Sequence, residues 1–333
     1  MTESAQQARL ARFVREFAGC RVVVVGDAIA DQFLYGEISR VSREAPVLIL
    51  RHERTETVPG GAANCAANLA ALGARAALVG VVGADEPGRA LRARLTALGV
   101  DCAGLLDAPA GTSVTKVRVL AGQAHAPRQQ VIRVDYEDRP RAAETLQTEL
   151  AERVRAAATE ADAFIISDYN YGVAGATVVA AVREAAAARG VPVLVDSRFR
   201  ITEFAGFTSA TPNEDEFEQL LGRKLDDATL EQAAAELCAR LAYRALLVTR
   251  GPEGMLLVEP GRAALPIAAV GAREAVDVTG AGDTVIAAYT LALARGADFA
   301  SAAHLANHAG GLVVMKRGTA TVSASELEKA VSD

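Results

Sequence analysis

The 333-residue chain reads as an α/β protein: a doubly wound, mostly parallel sheet with helices on both faces, plus a small β-sheet lid. Three patterns carry this reading. Short β-branched apolar runs alternate with Ala-rich stretches of helical length. Most of those runs lack polar–apolar alternation, which suits strands covered on both faces. Two charged or turn-rich segments, 35–58 and 112–136, break the rhythm and contain no βα unit.

Along the chain, strands are expected at Arg21–Gly26, Ala76–Val82, Ala163–Ser167, Val191–Asp196 and Ala245–Thr249. Helices are expected over Ala62–Leu72, Gly88–Leu98, Ala142–Ala158, Ala174–Arg189 and Ala228–Arg240. Ala runs such as Ala185–Ala188 favour helix over disorder. Tyr35 to Val58 holds Pro46, many charges and one strand candidate, Val47–Leu50. Thr112 to Tyr136 reads as two strands, Ser113–Leu120 and Gln130–Asp135, joined by a Gly/Pro-containing turn. These two segments are expected to project as a lid from a single domain spanning residues 1–333, covering a ligand and excluding water. Val285–Ala294 reads as a buried helix, and Ser323 opens a short tail helix through a Ser-x-x-Glu cap.

Composition narrows the function. Hydrophobic residues make up 51% of the chain and charged residues 23%, of both signs, so a sizeable core forms and disorder is excluded. A formal net charge of −6 gives no general attraction to nucleic acid or anionic membrane, so an anion needs a specific basic pocket. Cys20, Cys65, Cys102 and Cys238 form no Cys-x-x-Cys pair and read as buried free thiols. His304 and His308 lie one helical turn apart, without acidic or cysteine neighbours, and read as structural. Met1–Arg12 is polar and the apolar runs are strand-sized, so neither a signal peptide nor a membrane span is expected, and the cytoplasm is the expected location.

The segment richest in chemistry is Asp277-Val278-Thr279-Gly280-Ala281-Gly282-Asp283-Thr284, just before the buried helix. Small residues at Gly280, Ala281 and Gly282 let the backbone approach a ligand closely. At a helix start their amides point outward and the dipole favours negative charge, which makes an anion hole for a phosphoryl group in transfer. Asp283 at the same terminus is the candidate base that takes a proton from an attacking hydroxyl.

The octet resembles the C-terminal signature of the ribokinase-like (PfkB) carbohydrate kinases, and four further motifs follow that family's order. Val23-Val24-Val25-Gly26-Asp27 resembles the first strand, whose terminal Asp grips sugar hydroxyls. Pro59-Gly60-Gly61-Ala62-Ala63-Asn64-Cys65-Ala66 followed by Leu72-Gly73 resembles the N-terminal signature. Thr211-Pro212-Asn213-Glu214-Asp215-Glu216 resembles the Asn-x-x-Glu motif, and Thr249-Arg250-Gly251-Pro252-Glu253-Gly254 the nucleotide-side loop. The resemblance implies a ribokinase-like fold using ATP and Mg²⁺. It places ATP near Asn213, Glu214, Asp215, Glu216, Thr249, Gly251, Gly254, Gly282 and Asn307, with Asn213 and Glu216 organising Mg²⁺ through water. It also suggests a monovalent-cation site, possible for K⁺, from Asp277, Thr279, Gly318 and Ser323.

A narrower resemblance, dense over residues 20–325, is to the heptose 7-phosphate kinases of that family. It rests on Gly26-Asp27 through Asp31, Tyr35-Gly36, Ser39–Val47, Thr115–Val119, Gln130–Asp135, Ser167-Asp168-Tyr169 and Asp277-Val278-Thr279. It implies phosphorylation of the anomeric O1 of D-glycero-β-D-manno-heptose 7-phosphate, on the route to ADP-heptose and the lipopolysaccharide core. The sugar would meet Asp27, Asp31, Gly60, Gly61, Asn64 and Asp196. The lid cations Lys116, Arg118 and Arg133 are candidates for the 7-phosphate, with Lys116 and Arg118 two apart and so on one strand face. Two places depart from the pattern: Asp196-Ser197-Arg198 stands where Asp-Pro-Lys is expected, and Tyr171 where a Lys is expected. No His-x-Gly-His cytidylyltransferase motif follows, so the nucleotidyl step is expected from a separate protein. The rivals are another sugar kinase of the family and a non-catalytic sugar-binding regulator on the same fold. Exposed lid edges point to a homodimer through the lids.

Overall fold

The computed structural model describes residues 3–108, 111–122, 128–137, 145–271 and 274–332. The chain opens with helix α1 (Glu3–Glu16), then strands β1 (Arg21–Gly26), β2 (Ala28–Val41) and β3 (Leu48–Gly61). Next come α2 (Ala62–Ala71), β4 (Arg75–Gly83), α3 (Glu86–Ala97), β5 (Asp101–Ala108), β6 (Thr115–Gly122) and β7 (Gln129–Tyr136). The middle of the chain forms α4 (Gln147–Ala157), β8 (Ala163–Asp168), α5 (Ala176–Arg189), β9 (Val193–Ser197) and β10 (Ser209–Ala210). It continues as α6 (Glu214–Leu221), α7 (Asp227–Arg240), β11 (Ala245–Thr249), β12 (Met255–Val258) and β13 (Leu265–Ile267), and closes with α8 (Ala281–Ala294), α9 (Phe299–Val313) and α10 (Ala324–Ser332).

Among the described residues the strands form two sheets. The larger runs β13-β12-β11-β10-β9-β8-β1-β4-β5. Its members from β11 to β5 are parallel, and β12 and β13 add an antiparallel edge. Successive residues of the central strands feed opposite cores. Val22, Val24, Ile165 and Leu247 pack with α1, α2, α3, α8, α9 and α10. Val23, Val25, Ile166 and Val248 pack with α4, α5, α6 and α7. This two-sided burial is why the strands read as apolar runs without alternation.

The smaller sheet runs β3-β2-β6-β7 and contains both segments expected in the lid. It starts earlier than expected. β2 leaves β1 at Ala28 rather than at Tyr35, so Asp31 lies in the lid sheet. Ala28–Asp31 is buried against the main body, which hides the outward alternation that marks the rest of β2. Asp31 pairs in register with Lys116 of the parallel neighbour β6. The turn between β6 and β7, at 123–127, and the first residues of the expected Ala142–Ala158 helix lie outside the described residues. The sequence reading missed α1, β5, α6, α9 and the short β10, β12 and β13.

Candidate active site

The C-terminal ends of β1, β8, β9 and β11 converge on the N-terminus of α8, the edge where open α/β sheets bind ligands. Two adjoining cavities meet there and share Thr249, Val278, Ala281 and Gly282. The first, about 330 Å³, is walled mainly by apolar and small groups, among them Met255, Ala269, Val270, Val285 and Val314, with Gly251, Gly254 and Asn307. Such a slot suits a flat base. The second, about 230 Å³, holds Asp168, Tyr169, Asp196, Arg198, Asn213, Glu216, Gly280 and Asp283.

Asp283 sits in the first turn of α8 and is 3% exposed. Asn64 on α2 donates to its Oδ2 at 2.7 Å, and the Tyr169 hydroxyl donates to its Oδ1 at 3.3 Å. Burial lifts the carboxyl from its ordinary 3.8 to about 7, opposed by these two hydrogen bonds. The Asn64 amide is itself oriented: Asn68 Nδ2 donates to its Oδ1 at 3.2 Å, so Nδ2 is left for Asp283. Asn68 in turn accepts from Thr284 at 2.8 Å, tying α2 to α8.

Gly280 caps α8 in the left-handed region, with φ 76°. A Cβ there would stand 2.5 Å from Asn64 Nδ2, so only glycine leaves that amide its place beside Asp283. The anion hole is narrower than expected, because the Ala281 amide returns to the Val278 carbonyl at 3.2 Å. The amides of Gly282 and Asp283, at the second and third helical positions, have no acceptor within the helix, and both residues line the cleft.

The structure reverses the expected ranking of the two early aspartates. Asp27 is 2% exposed, and the backbone amides of Tyr169 (2.8 Å), Tyr171 (3.0 Å) and Val173 (3.2 Å) all donate to its carboxylate. A carboxylate so engaged holds the 169–173 loop. Burial still raises it to about 6, against those amides. Asp31 on β2, 5% exposed, receives no backbone amide outside the sheet pairing among the described residues; its Oδ1 accepts from Arg118 at 2.6 Å. Gly60 makes room for it, since a Cβ there would meet Asp31 Oδ2 at 2.6 Å. Gly61 begins the turn into α2.

The three lid cations differ. Arg118 is bound to Asp31, and Arg133 chelates Asp135 through Nε and Nη2 at 2.9 and 3.0 Å. Lys116, 9% exposed, has no carboxylate in ion-pair range among the described residues, and its Nζ lies over the Tyr169 ring, 5.6 Å from the centroid. Burial pulls its pKa down, against the attraction of Asp31.

On the nucleotide side, Asn213 and Glu216 form a reciprocal cap of α6: Glu216 N donates to Asn213 Oδ1 at 2.8 Å and Asn213 N to Glu216 Oε2 at 3.0 Å. Glu214 and Asp215 do not join the cleft. Glu214 accepts from Arg250 at 3.2 Å, and Asp215 lies at the surface near Lys224. They fall on the outer face of α6, one and two residues past the cap. Asp168, part of the Ser167-Asp168-Tyr169 motif, anchors the β8–β9 end: Arg200 and the Ser197 hydroxyl both donate to it. Ser197 is therefore a structural partner, while the Arg198 side chain lines the cleft rim. Tyr171, at the other departure, donates its hydroxyl to Glu137 beyond β7.

Asp277 accepts from the amides of Thr279 and Gly318, both at 2.9 Å, which joins the turn before α8 to the 318 loop. Ser323 is not part of that junction. It forms a capping box with Glu326, as the Ser-x-x-Glu pattern indicates.

The donor set bears on Mg²⁺. Among the described residues no three His, Cys, Asp or Glu groups are arranged as a direct cage. Asp196 and Glu216 nevertheless line one cleft, and burial raises both carboxyls, with Glu216 adding to the rise at Asp196. Two desolvated carboxylates lining one cleft fit a divalent cation held through water and phosphate oxygens. Also among the described residues, no helix is long and apolar enough to cross a membrane.

Comparison with known proteins points the same way. The family description "pfkB family carbohydrate kinase" matches residues 20–326. The chain is 42% identical over 318 residues to the Bifunctional protein HldE of Pectobacterium atrosepticum, covering 95% of this chain and 64% of that one. It is 44% identical over 311 residues to the Bifunctional protein HldE of Pseudomonas aeruginosa, covering 93% and 63%. It therefore spans less than two thirds of the length of these relatives. Among solved structures, phosphofructokinase-2 from Escherichia coli in complex with potassium matches with a TM-score of 0.76 at 21% identity, over 94% of this chain and 98% of that one. The ribokinase of Arabidopsis thaliana complexed with ribose and ATP matches with a TM-score of 0.71 at 23% identity, over 95% and 99%. Likeness at these identities shows a ribokinase-like fold.

Proposed function

The chain belongs to the pfkB family of carbohydrate kinases, and from that premise we propose that it phosphorylates the anomeric O1 of D-glycero-β-D-manno-heptose 7-phosphate, giving the 1,7-bisphosphate and ADP. The observation that carries the chemistry is the placement of Asp283. Its carboxylate is buried, held by Asn64 and Tyr169, and one residue from amides that face the cleft. Asp283 takes the O1 proton as O1 bonds to the γ-phosphorus, while the bond from that phosphorus to the ADP oxygen breaks. The amides of Gly282 and Asp283 meet the charge on the transferring oxygens. The adenine lies in the apolar cavity beside Val285 and Asn307, and Arg198 meets phosphate at the cleft rim. Mg²⁺, when bound through water near Asp196, Asn213 and Glu216, would neutralise phosphate charge.

The heptose 7-phosphate assignment rests on the lid. Asp31, with the Gly60-Gly61 backbone, would meet sugar hydroxyls, and of the three candidate cations Lys116 is the one without a carboxylate partner among the described residues. That leaves its ammonium for the 7-phosphate. The test is a substrate panel scored by ADP release. Heptose 7-phosphate should be preferred over ribose, fructose and fructose 6-phosphate; preference for any of the latter overturns the assignment. A homodimer through the lids belongs to the same reading, since β7 is an edge strand exposing Val131, Ile132 and Val134. A monomer by light scattering would remove that part.

A further inference from the structure

We propose that Asp27 is a positioning residue for the base, holding the loop that aims the Tyr169 hydroxyl at Asp283, and not a ligand of the sugar. The inference rests on the reading of Asp283 as the base. Asp27 follows the last residue of β1 and its carboxylate faces the chain leaving β8. Oδ2 accepts from the amides of Tyr169 and Tyr171, and Oδ1 from that of Val173. Three amides drawn to one carboxylate bend residues 169–173 into a tight arc, with Asn170 left-handed at φ 65°. Asn tolerates that region better than most non-glycine residues, so the arc is defined by its hydrogen bonds rather than by strain. The loop has other fastenings: the Asn170 amide donates to Asp168 at 3.3 Å, Gln147 Nε2 donates to the Gly172 and Val173 carbonyls at 2.8 and 3.4 Å, and the Tyr171 hydroxyl reaches Glu137. The Asp27 carboxylate differs in taking the amides of three of its residues at once.

The arc delivers a single polar group to the reacting centre. The Tyr169 hydroxyl donates to Asp283 Oδ1, while Asn64 holds Oδ2. The ring face of Tyr169 meanwhile lies under Lys116 of the lid. With both oxygens tethered, the carboxylate cannot rotate, and one lone pair stays directed at the hydroxyl to be deprotonated. Asp31 and Lys116 also face Asp283 from the lid, and Asp196 from β9, so the Tyr169 bond is one influence among several charged ones. Asp27 touches none of the reacting atoms. Its effect on the reaction passes through Tyr169.

The test is a double-mutant cycle of Asp27→Asn and Tyr169→Phe on the full chain, with ATP, Mg²⁺ and heptose 7-phosphate, following kcat and both KM values. Each single variant should lower kcat about ten-fold, the scale of one hydrogen bond to a charged group, and leave both KM values unchanged. The double variant should be no slower than the slower single one, because both changes remove the same contact. A raised KM for the sugar in Asp27→Asn would make Asp27 a sugar ligand and overturn the proposal. Multiplying effects would do the same, by showing independent action. If Asp27→Asn does not fold, Asp27→Glu takes its place; if neither folds, Tyr169→Phe decides, and an unchanged kcat refutes. Asp283→Asn run alongside separates two failures. Near-normal turnover there removes the base itself, whereas a kcat lowered there by about 10²-fold or more with an unaltered Asp27→Asn kcat removes only this inference.

Discussion

Replacing Asp283 by Asn should abolish turnover and at the same time stabilise the protein. The side chain keeps its shape, and the oxygen of the new amide can still accept from Asn64. The carboxyl binds its proton more tightly folded, at about 7, than its ordinary value of 3.8. Between those limits the folded state carries more proton than the unfolded one, so stability falls as pH rises. The gap corresponds to about 4 kcal/mol, fully lost above about pH 7. Asn has no charge to bury and escapes that loss. Urea unfolding without nucleotide should therefore find wild type and variant nearly equal near pH 4 and the variant more stable at pH 8.5, by up to about 4 kcal/mol. Asp27, raised to about 6, remains in both proteins and cancels from the comparison. Loss of the general base should cost about 10²- to 10⁴-fold in kcat. A variant less stable than wild type at pH 8.5, or one that keeps near-normal turnover, would refute the reasoning.

Other expectations follow from the same geometry. Asn64→Ala removes a hydrogen bond that favours ionised Asp283, so the acidic limb of the kcat–pH profile should move above about 7, with activity lost at neutral pH and partly recovered in alkali; an unmoved limb counts against Asp283 as the titrating group. Gly280→Ala forces a Cβ against Asn64 Nδ2 in a left-handed backbone, so it should cost about 1–3 kcal/mol of stability by denaturant unfolding and slow turnover as well. Lys116→Ala should raise the KM for heptose 7-phosphate far more than that for ATP; equal effects would mark Lys116 as structural.

Much of the main sheet was legible because two-sided burial writes itself as unbroken apolar runs, as at Arg21–Gly26 and Ala245–Thr249. β5 was not, because it is a sheet edge strand with exposed Asp101, Ala103 and Asp107. The start of β2 was misplaced because Ala28–Asp31 is buried by tertiary contact that no periodicity announces. The candidate base and its small-residue turn stand together in one octet. Its partners were not: Tyr169 reaches Asp283 across 114 positions and Asn64 across 219, and each depends on folding. Asp27 was expected at the sugar ahead of Asp31, and only the fold shows which of the two carboxylates is taken up by backbone amides. The Asn213-x-x-Glu216 pair had a readable signal that passed unused, for it is a capping box as plain as Ser323-x-x-Glu326.

The most direct measurement is ³¹P NMR of a reaction containing the protein, ATP, Mg²⁺ and heptose 7-phosphate. The account predicts a new sugar-phosphate resonance coupled to the anomeric proton, the 7-phosphate signal retained, and ADP formed in equal amount. Phosphate arriving at any other hydroxyl, or ADP formed with no new phosphate ester, would contradict it.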